Sequence, residues 1–147
     1  MSFKIRSYNI NKASDFNACL YMYIDCLENY TYVGKKPYAE FVKDFIINLT
    51  APDAVCLVLM NGKYRYAGMA IGHAITPEQY HCDVLYILEE FRGTKAFEYL
   101  YHAFAELIKK AGYKCITFDA SIEKNKELFK KLSYNVKEEF TRFKLTF

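Results

Sequence analysis

Between His81 and Phe97 the chain reads HCDVLYILEEFRGTKAF: an apolar run that ends in two carboxylates, turns through Arg92-Gly93-Thr94 and opens a helix. Few folds accommodate that order. The helix is specified by spacing, because Phe97, Leu100, Tyr101, Phe104, Leu107 and Ile108 form one stripe of a 3.6-residue period. Thr94 is placed to cap it, Glu98 puts negative charge in its first turn, and Lys109-Lys110-Ala111-Gly112 closes it with positive charge and a left-handed stop. A helix capped straight after a strand directs N–H groups, here on Lys95, Ala96 and Phe97, back at the strand's carboxyl end. Such a place attracts phosphate, and Arg92 beside it adds a fixed positive charge.

Upstream, residues 3–8 alternate in polarity as a strand does. Asn11 or Ser14 is suited to cap a helix running to about Asn29, with Phe16, Leu20, Tyr23, Ile24 and Leu27 at helical spacing. A loop over 30–37 leads into a second helix, 38–49, with Phe41, Phe45, Ile46 and Leu49 on one side. Residues 55–60 read as a buried strand and Asn61-Gly62 as a hairpin turn. In the next strand, 64–75, Gly68, Ala70, Gly72 and Ala74 alternate with Met69, Ile71, His73 and Ile75. A hairpin closed over 76–79 sets residue 73 against 82 and 72 against 83. The Gly/Ala face then also carries His81, Asp83, Leu85 and Ile87, and it invites close approach by a helix or by a ligand. Beyond the central helix come a strand over 114–118, a short helix from Ser121 that includes Asn125, and one or two strands over 134–147.

At 147 residues the expectation is one domain, 1–147, that buries roughly two-thirds of its unfolded surface. Hydrophobic residues at 52% and charged residues at 25% exclude a disordered chain. With 14 Tyr and 12 Phe, aromatics exceed the needs of one small core, so some are expected to line a pocket or an interface. A net charge of +3 on dispersed lysines lacks the clustered basic surface of a nucleic-acid binder. No apolar run approaches the roughly 20 residues of a membrane span, and the opening MSFKIR has no signal-peptide core. The expected setting is therefore the cytoplasm. Cys19, Cys26, Cys56, Cys82 and Cys115 contain no Cys-x-x-Cys pair, which favours reduced, buried thiols over disulfides or a metal site.

The order of strand, FRGTKAF turn, long helix, strand, short helix and LFKKLSY over 128–134 resembles the GNAT N-acetyltransferase superfamily. The resemblance is close over 81–134 and elsewhere rests on element order. It implies a mixed α/β fold: a mostly antiparallel, twisted sheet of about six or seven strands flanked by about four helices. It also implies that Arg92, Gly93, Thr94, Lys95, Ala96 and Phe97 hold the pyrophosphate of acetyl-coenzyme A, largely through backbone amides. The strand edge at Leu85, Tyr86 and Ile87 would bind the pantetheine arm, with Asn125 adding a contact. The sequence departs from the family at Lys95, Phe97 and Ser133, where the family has glycines. It departs again at Phe129, where a proton-donating Tyr is frequent, and at Ile122, where an Asn is.

The implied activity is direct transfer of an acetyl group from acetyl-coenzyme A, a substrate, to an amine of a small molecule or a protein. The base that frees the amine is sought at Asp83, where burial on a central strand raises a carboxylate pKa, and then at His73 and His81, which titrate near neutrality. Two other readings share these residues. One is a non-catalytic relative, as in some phage-encoded proteins, acting as a binding or assembly protein; the other is an unrelated α+β binding module. A homodimer is compatible with each.

Overall fold

A computed structural model describes residues 2–31, 33–119, 136–139 and 142–147. Asn125, Phe129 and the short helix expected from Ser121 lie outside these residues. Strands β1 (Phe3–Ser7), β2 (Val55–Asn61), β3 (Arg65–Ala74), β4 (Gln79–Ile87), β5 (Cys115–Asp119), β6 (Val136–Glu139) and β7 (Arg142–Thr146) form one seven-stranded sheet. Its order is β1-β2-β3-β4-β5-β7-β6. Three α-helices stand among the described residues: α1 (Ala13–Tyr30), α2 (Tyr38–Leu49) and α3 (Ala96–Lys110). A single 3-10 turn, Glu89–Phe91, precedes α3. The fold is thus mixed α/β with a mostly antiparallel sheet, as the sequence implies, and three of the about four expected helices stand among the described residues.

All strand pairs are antiparallel except β4 with β5, which α3 joins by a crossover. The β4–β5 ladder joins Gln79–Cys82 to Cys115–Phe118 and leaves the rest of β4 beyond it.

The sheet divides two cores. On one face α3 sets Leu100, Tyr101, Phe104 and Ile108 against Leu57, Leu59, Ala70, Tyr80 and Cys82. On the other, Cys19, Leu20, Met22 and Tyr23 of α1 and Phe45 of α2 meet Val58, Met69, Ile71, Val84 and Tyr86. Each fully buried large side chain contributes about 1.5–3 kcal/mol relative to exposure, so the buried members of the stripes seat the helices, while Leu107 of α3 and Ile46 of α2, expected among them, are exposed. The Gly/Ala face serves helix packing. A Cβ on Gly72 would lie 2.5 Å from the His81 carbonyl, 2.7 Å from the Tyr80 ring and 3.0 Å from Phe104 of α3.

The start of α1 is held by a residue inside it. Neither Asn11 nor Ser14 caps the helix; Asp15, fully buried in its first turn, accepts the Asn9 amide at 2.9 Å. The same carboxylate takes both terminal nitrogens of Arg6 at 2.6 Å and the Tyr66 hydroxyl at 2.6 Å. The guanidinium hydrogen bonds hold its pKa well below the usual carboxylate range despite burial.

The register between β3 and β4 is where the sequence expectation fails. From Gly68↔Ile87 to Ile71↔Val84 the pairing follows the alternation, but then it slips to Gly72↔Cys82, His73↔His81 and Ala74↔Tyr80. Asp83 is the extra residue, a β-bulge on β4. The Cys82 thiol donates to the Val84 carbonyl across it at 3.4 Å. The consequence is a correction: His81 and Asp83 share a face with His73, not with Gly68, Ala70 and Gly72.

Candidate active site

The bulge gathers all three expected acid–base residues. His73 Nδ1 lies 2.7 Å from Asp83 Oδ2, their side chains 21% and 16% exposed. A carboxylate only accepts, so Nδ1 carries the proton and the lone pair of the neutral ring sits on Nε2. No hydrogen-bond partner takes that Nε2 among the described residues. The His81 ring stands edge-on to His73, with centroids 6.2 Å apart, and its Nδ1 is bonded to Thr117 Oγ1 of β5 at 2.6 Å. Tyr23 of α1 lies close by. Burial first, then the charges of Asp83 and Asp44, push its phenol upward, so it is protonated at neutral pH.

Beside this cluster the sheet opens among the described residues. The β4–β5 ladder ends at Cys82↔Phe118, one residue before the bulge, while β4 continues to Ile87. Leu88 N bonds Ala67 O at 2.8 Å, so alternate residues 86 and 84 turn their backbone groups to β3. Leu85 and Ile87 turn theirs toward the opening. The Ile87 carbonyl accepts Arg92 Nε at 2.8 Å.

At the far end lies the turn into α3. Gly93 has φ +77°, a left-handed conformation that suits glycine. Lys95 has φ −81° and ψ 5°, where any residue fits, so the family's glycine is not required there. Phe97 packs into the α3 core, stacked on Tyr101 at 6.4 Å, and does not need glycine's smallness. Thr94 Oγ1 donates to Phe91 O at 2.6 Å and accepts the Ala96 amide at 3.1 Å, which braces the turn; the N-cap itself is Lys95, one residue later than expected, and makes no side-chain cap bond. Ala96's amide is therefore committed. Those of Gly93, Thr94 and Lys95 have no acceptor among the described residues.

Arg92 turns away from this loop. Its Nη1 donates to the Tyr30 hydroxyl at 2.7 Å, and the guanidinium carbon stands 4.6 Å from the Tyr30 ring centre and 5.2 Å from that of Tyr86. Tyr86 in turn donates to Asp25 of α1, and Asn29 donates to the other Asp25 oxygen at 2.8 Å. Burial and this carboxylate raise the Tyr86 pKa. Asp25 and Thr117 carried no sequence signal, since each becomes relevant only through a partner on another element. Asn125 lies outside the described residues.

No family model matches the sequence, and no curated protein does. Solved structures do. An N-acetyltransferase from Staphylococcus aureus Mu50 superposes with a TM-score of 0.72 at 20% identity, covering 99% of each chain. The PaiA N-acetyltransferase of Thermoplasma acidophilum, in complex with coenzyme A, gives 0.74 at 13% identity over 100% of both chains. A GNAT superfamily phosphinothricin acetyltransferase from Sinorhizobium meliloti, in complex with acetyl-coenzyme A, gives 0.74 at 14% identity over 98% of this chain and 88% of that one.

Proposed function

We propose that this chain, which has the fold of the GNAT acetyltransferases, is an acetyl-coenzyme A-dependent N-acetyltransferase acting by direct transfer to an amine. The observation that carries the reading is the opening between β4 and β5, with an anion-ready turn at one end and the His73–Asp83 pair at the other. The amides of Gly93, Thr94 and Lys95 offer a pyrophosphate what a helix start offers any anion. Leu85 presents a strand's backbone N–H and C=O to an amide-bearing arm lying in the opening. The bound neighbours from Thermoplasma acidophilum and Sinorhizobium meliloti support that choice of substrate.

On the α1–α2 face, His73 Nε2 removes a proton from the acceptor ammonium, and Asp83 stabilises the imidazolium that forms. The free amine forms its N–C bond to the acetyl carbon while the C–S bond breaks. The nitrogen sheds the second proton that bond formation leaves in excess; one of the two protons goes to the departing thiolate, directly or through water, and the other to solvent. Asp83 also serves as a direct base if the acceptor reaches it first. Five free cysteines suit a cytoplasmic setting, and no helix among the described residues is long and apolar enough to cross a membrane.

Calorimetry with coenzyme A, followed by thiol release in the presence of polyamines, amino sugars and peptide amines, tests the proposal. Binding with turnover on one acceptor class is the expected result. Binding without turnover on any of them turns the reading to a non-catalytic binding protein, and no binding removes the cofactor altogether.

A further inference from the structure

Arg92 sits in the sequence where a phosphate-gripping cation is expected, yet its side chain lies elsewhere. The turn leads into α3 on one face of the sheet, whereas the guanidinium lies beside Tyr86, whose ring belongs to the opposite face with α1. Its Nε is committed to Ile87 O and its Nη1 to Tyr30, and its plane occupies the notch between two rings whose centres are 6.2 Å apart. Taken together, the contacts to Ile87 and Tyr86 on one side and to Tyr30 on the other tie the open end of β4 to the last turn of α1.

We infer that Arg92 is a positioning residue: a strut that fixes the open end of β4 against the end of α1, leaving the phosphates to the backbone amides. This inference rests on the acetyltransferase reading. The strut acts at two places. By taking the Ile87 carbonyl it removes one hydrogen-bond acceptor from the opening, so that the arm's amides meet Leu85. By holding Tyr30 it sets where the chain after α1 leaves the helix, at the rim of the face that carries His73 and Asp83. A lysine keeps the charge but cannot reach a carbonyl with one planar nitrogen and a phenol with another.

The test separates a strut from an anion ligand by salt. Coenzyme A affinity is measured from low to high ionic strength for the wild type, Arg92→Gln, Arg92→Lys and Tyr30→Phe. A strut predicts affinity lowered about threefold to tenfold in both Arg92 variants, the same factor at every salt concentration, with no rescue by lysine. Rescue by Arg92→Lys, together with a flatter salt dependence in Arg92→Gln, makes Arg92 a phosphate ligand and overturns the strut.

A double-mutant cycle of Arg92→Gln with Tyr30→Phe, read by thermal unfolding without ligand, is independent of any activity. The strut requires non-additive losses; additive ones reject it. If the wild type binds no coenzyme A, the cofactor reading fails and this cycle still decides the strut.

Discussion

His73 Nδ1 and Asp83 Oδ2 lie 2.7 Å apart although a regular ladder would put their side chains on opposite faces of the sheet. The slip of one residue at Asp83 brings them together, at the point where β4 parts from β5. An imidazole oriented by a carboxylate, with no partner on its second nitrogen among the described residues, has the geometry of a general base.

Asp83→Asn and His73→Gln are each expected to lower kcat/KM for acetyl transfer by about 10²–10⁴-fold while leaving coenzyme A affinity nearly unchanged. The losses should be largest below the acceptor's own pKa, where a base is needed to free the amine. Rate profiles across pH check this, and a variant that loses activity equally at every pH points to a structural role.

Gly93→Val forces a branched side chain into φ +77° and is expected to weaken coenzyme A binding by about tenfold, from roughly 1–2 kcal/mol of backbone strain. Lys95→Gly, at an unstrained φ, should alter affinity much less. Calorimetry on the two variants separates a conformational need for glycine from a mere family habit.

Gly72→Ala is expected to destabilise by about 1–3 kcal/mol, because its methyl meets the His81 carbonyl at 2.5 Å and the Tyr80 ring at 2.7 Å. Gly68→Ala meets the Tyr86 carbonyl at 2.5 Å and should behave alike. Urea unfolding midpoints measure both, and a neutral result would mean that β4 shifts freely.

Asp15→Asn is expected to cost about 2–3 kcal/mol, a value below that of a wholly buried pair because Arg6 is 34% exposed. The sign with pH follows from the depressed carboxylate. Stability from Asp15 is complete above its unfolded pKa, near 4, and is lost as pH falls from there toward the lower folded value. Wild type should therefore lose stability on acidification more steeply than Asp15→Asn, as acid titrations of thermal unfolding would show.

Periodicity carried most of the fold into view. The α3 stripe and the bounds of α2 follow from spacing that tertiary contacts reinforce. The close of α3 was legible too, since Gly112 takes the left-handed φ of +98° that a helix stop requires, whereas the cap expected at Thr94 falls on Lys95. Two things were not. A bulge leaves no mark in an alternation whose polar residues suit either face, so His81 and Asp83 were assigned to the wrong one. The direction of the Arg92 side chain depends on Tyr30 and Tyr86, the first of them 62 residues away in sequence. Asp15 was likewise hidden, because an acid in a first helical turn looks like ordinary dipole compensation until Arg6 and Tyr66 arrive from other strands.

The alternation of β4 changes parity at Asp83. Tyr80 and Cys82 look toward α3 and His81 away from it; after the extra residue, Leu85 and Ile87 look toward α3, and Val84 and Tyr86 away. Asp83 can thus be struck out without sending any apolar side chain to the wrong core. A chain shortened by that one residue should fold with an unbroken ladder and unfold at least as cooperatively as the parent, while losing the His73 partner. Chemistry and architecture are written here on separable residues, and a sheet of this kind can acquire or discard its acid by a single-codon insertion or deletion rather than by redesign.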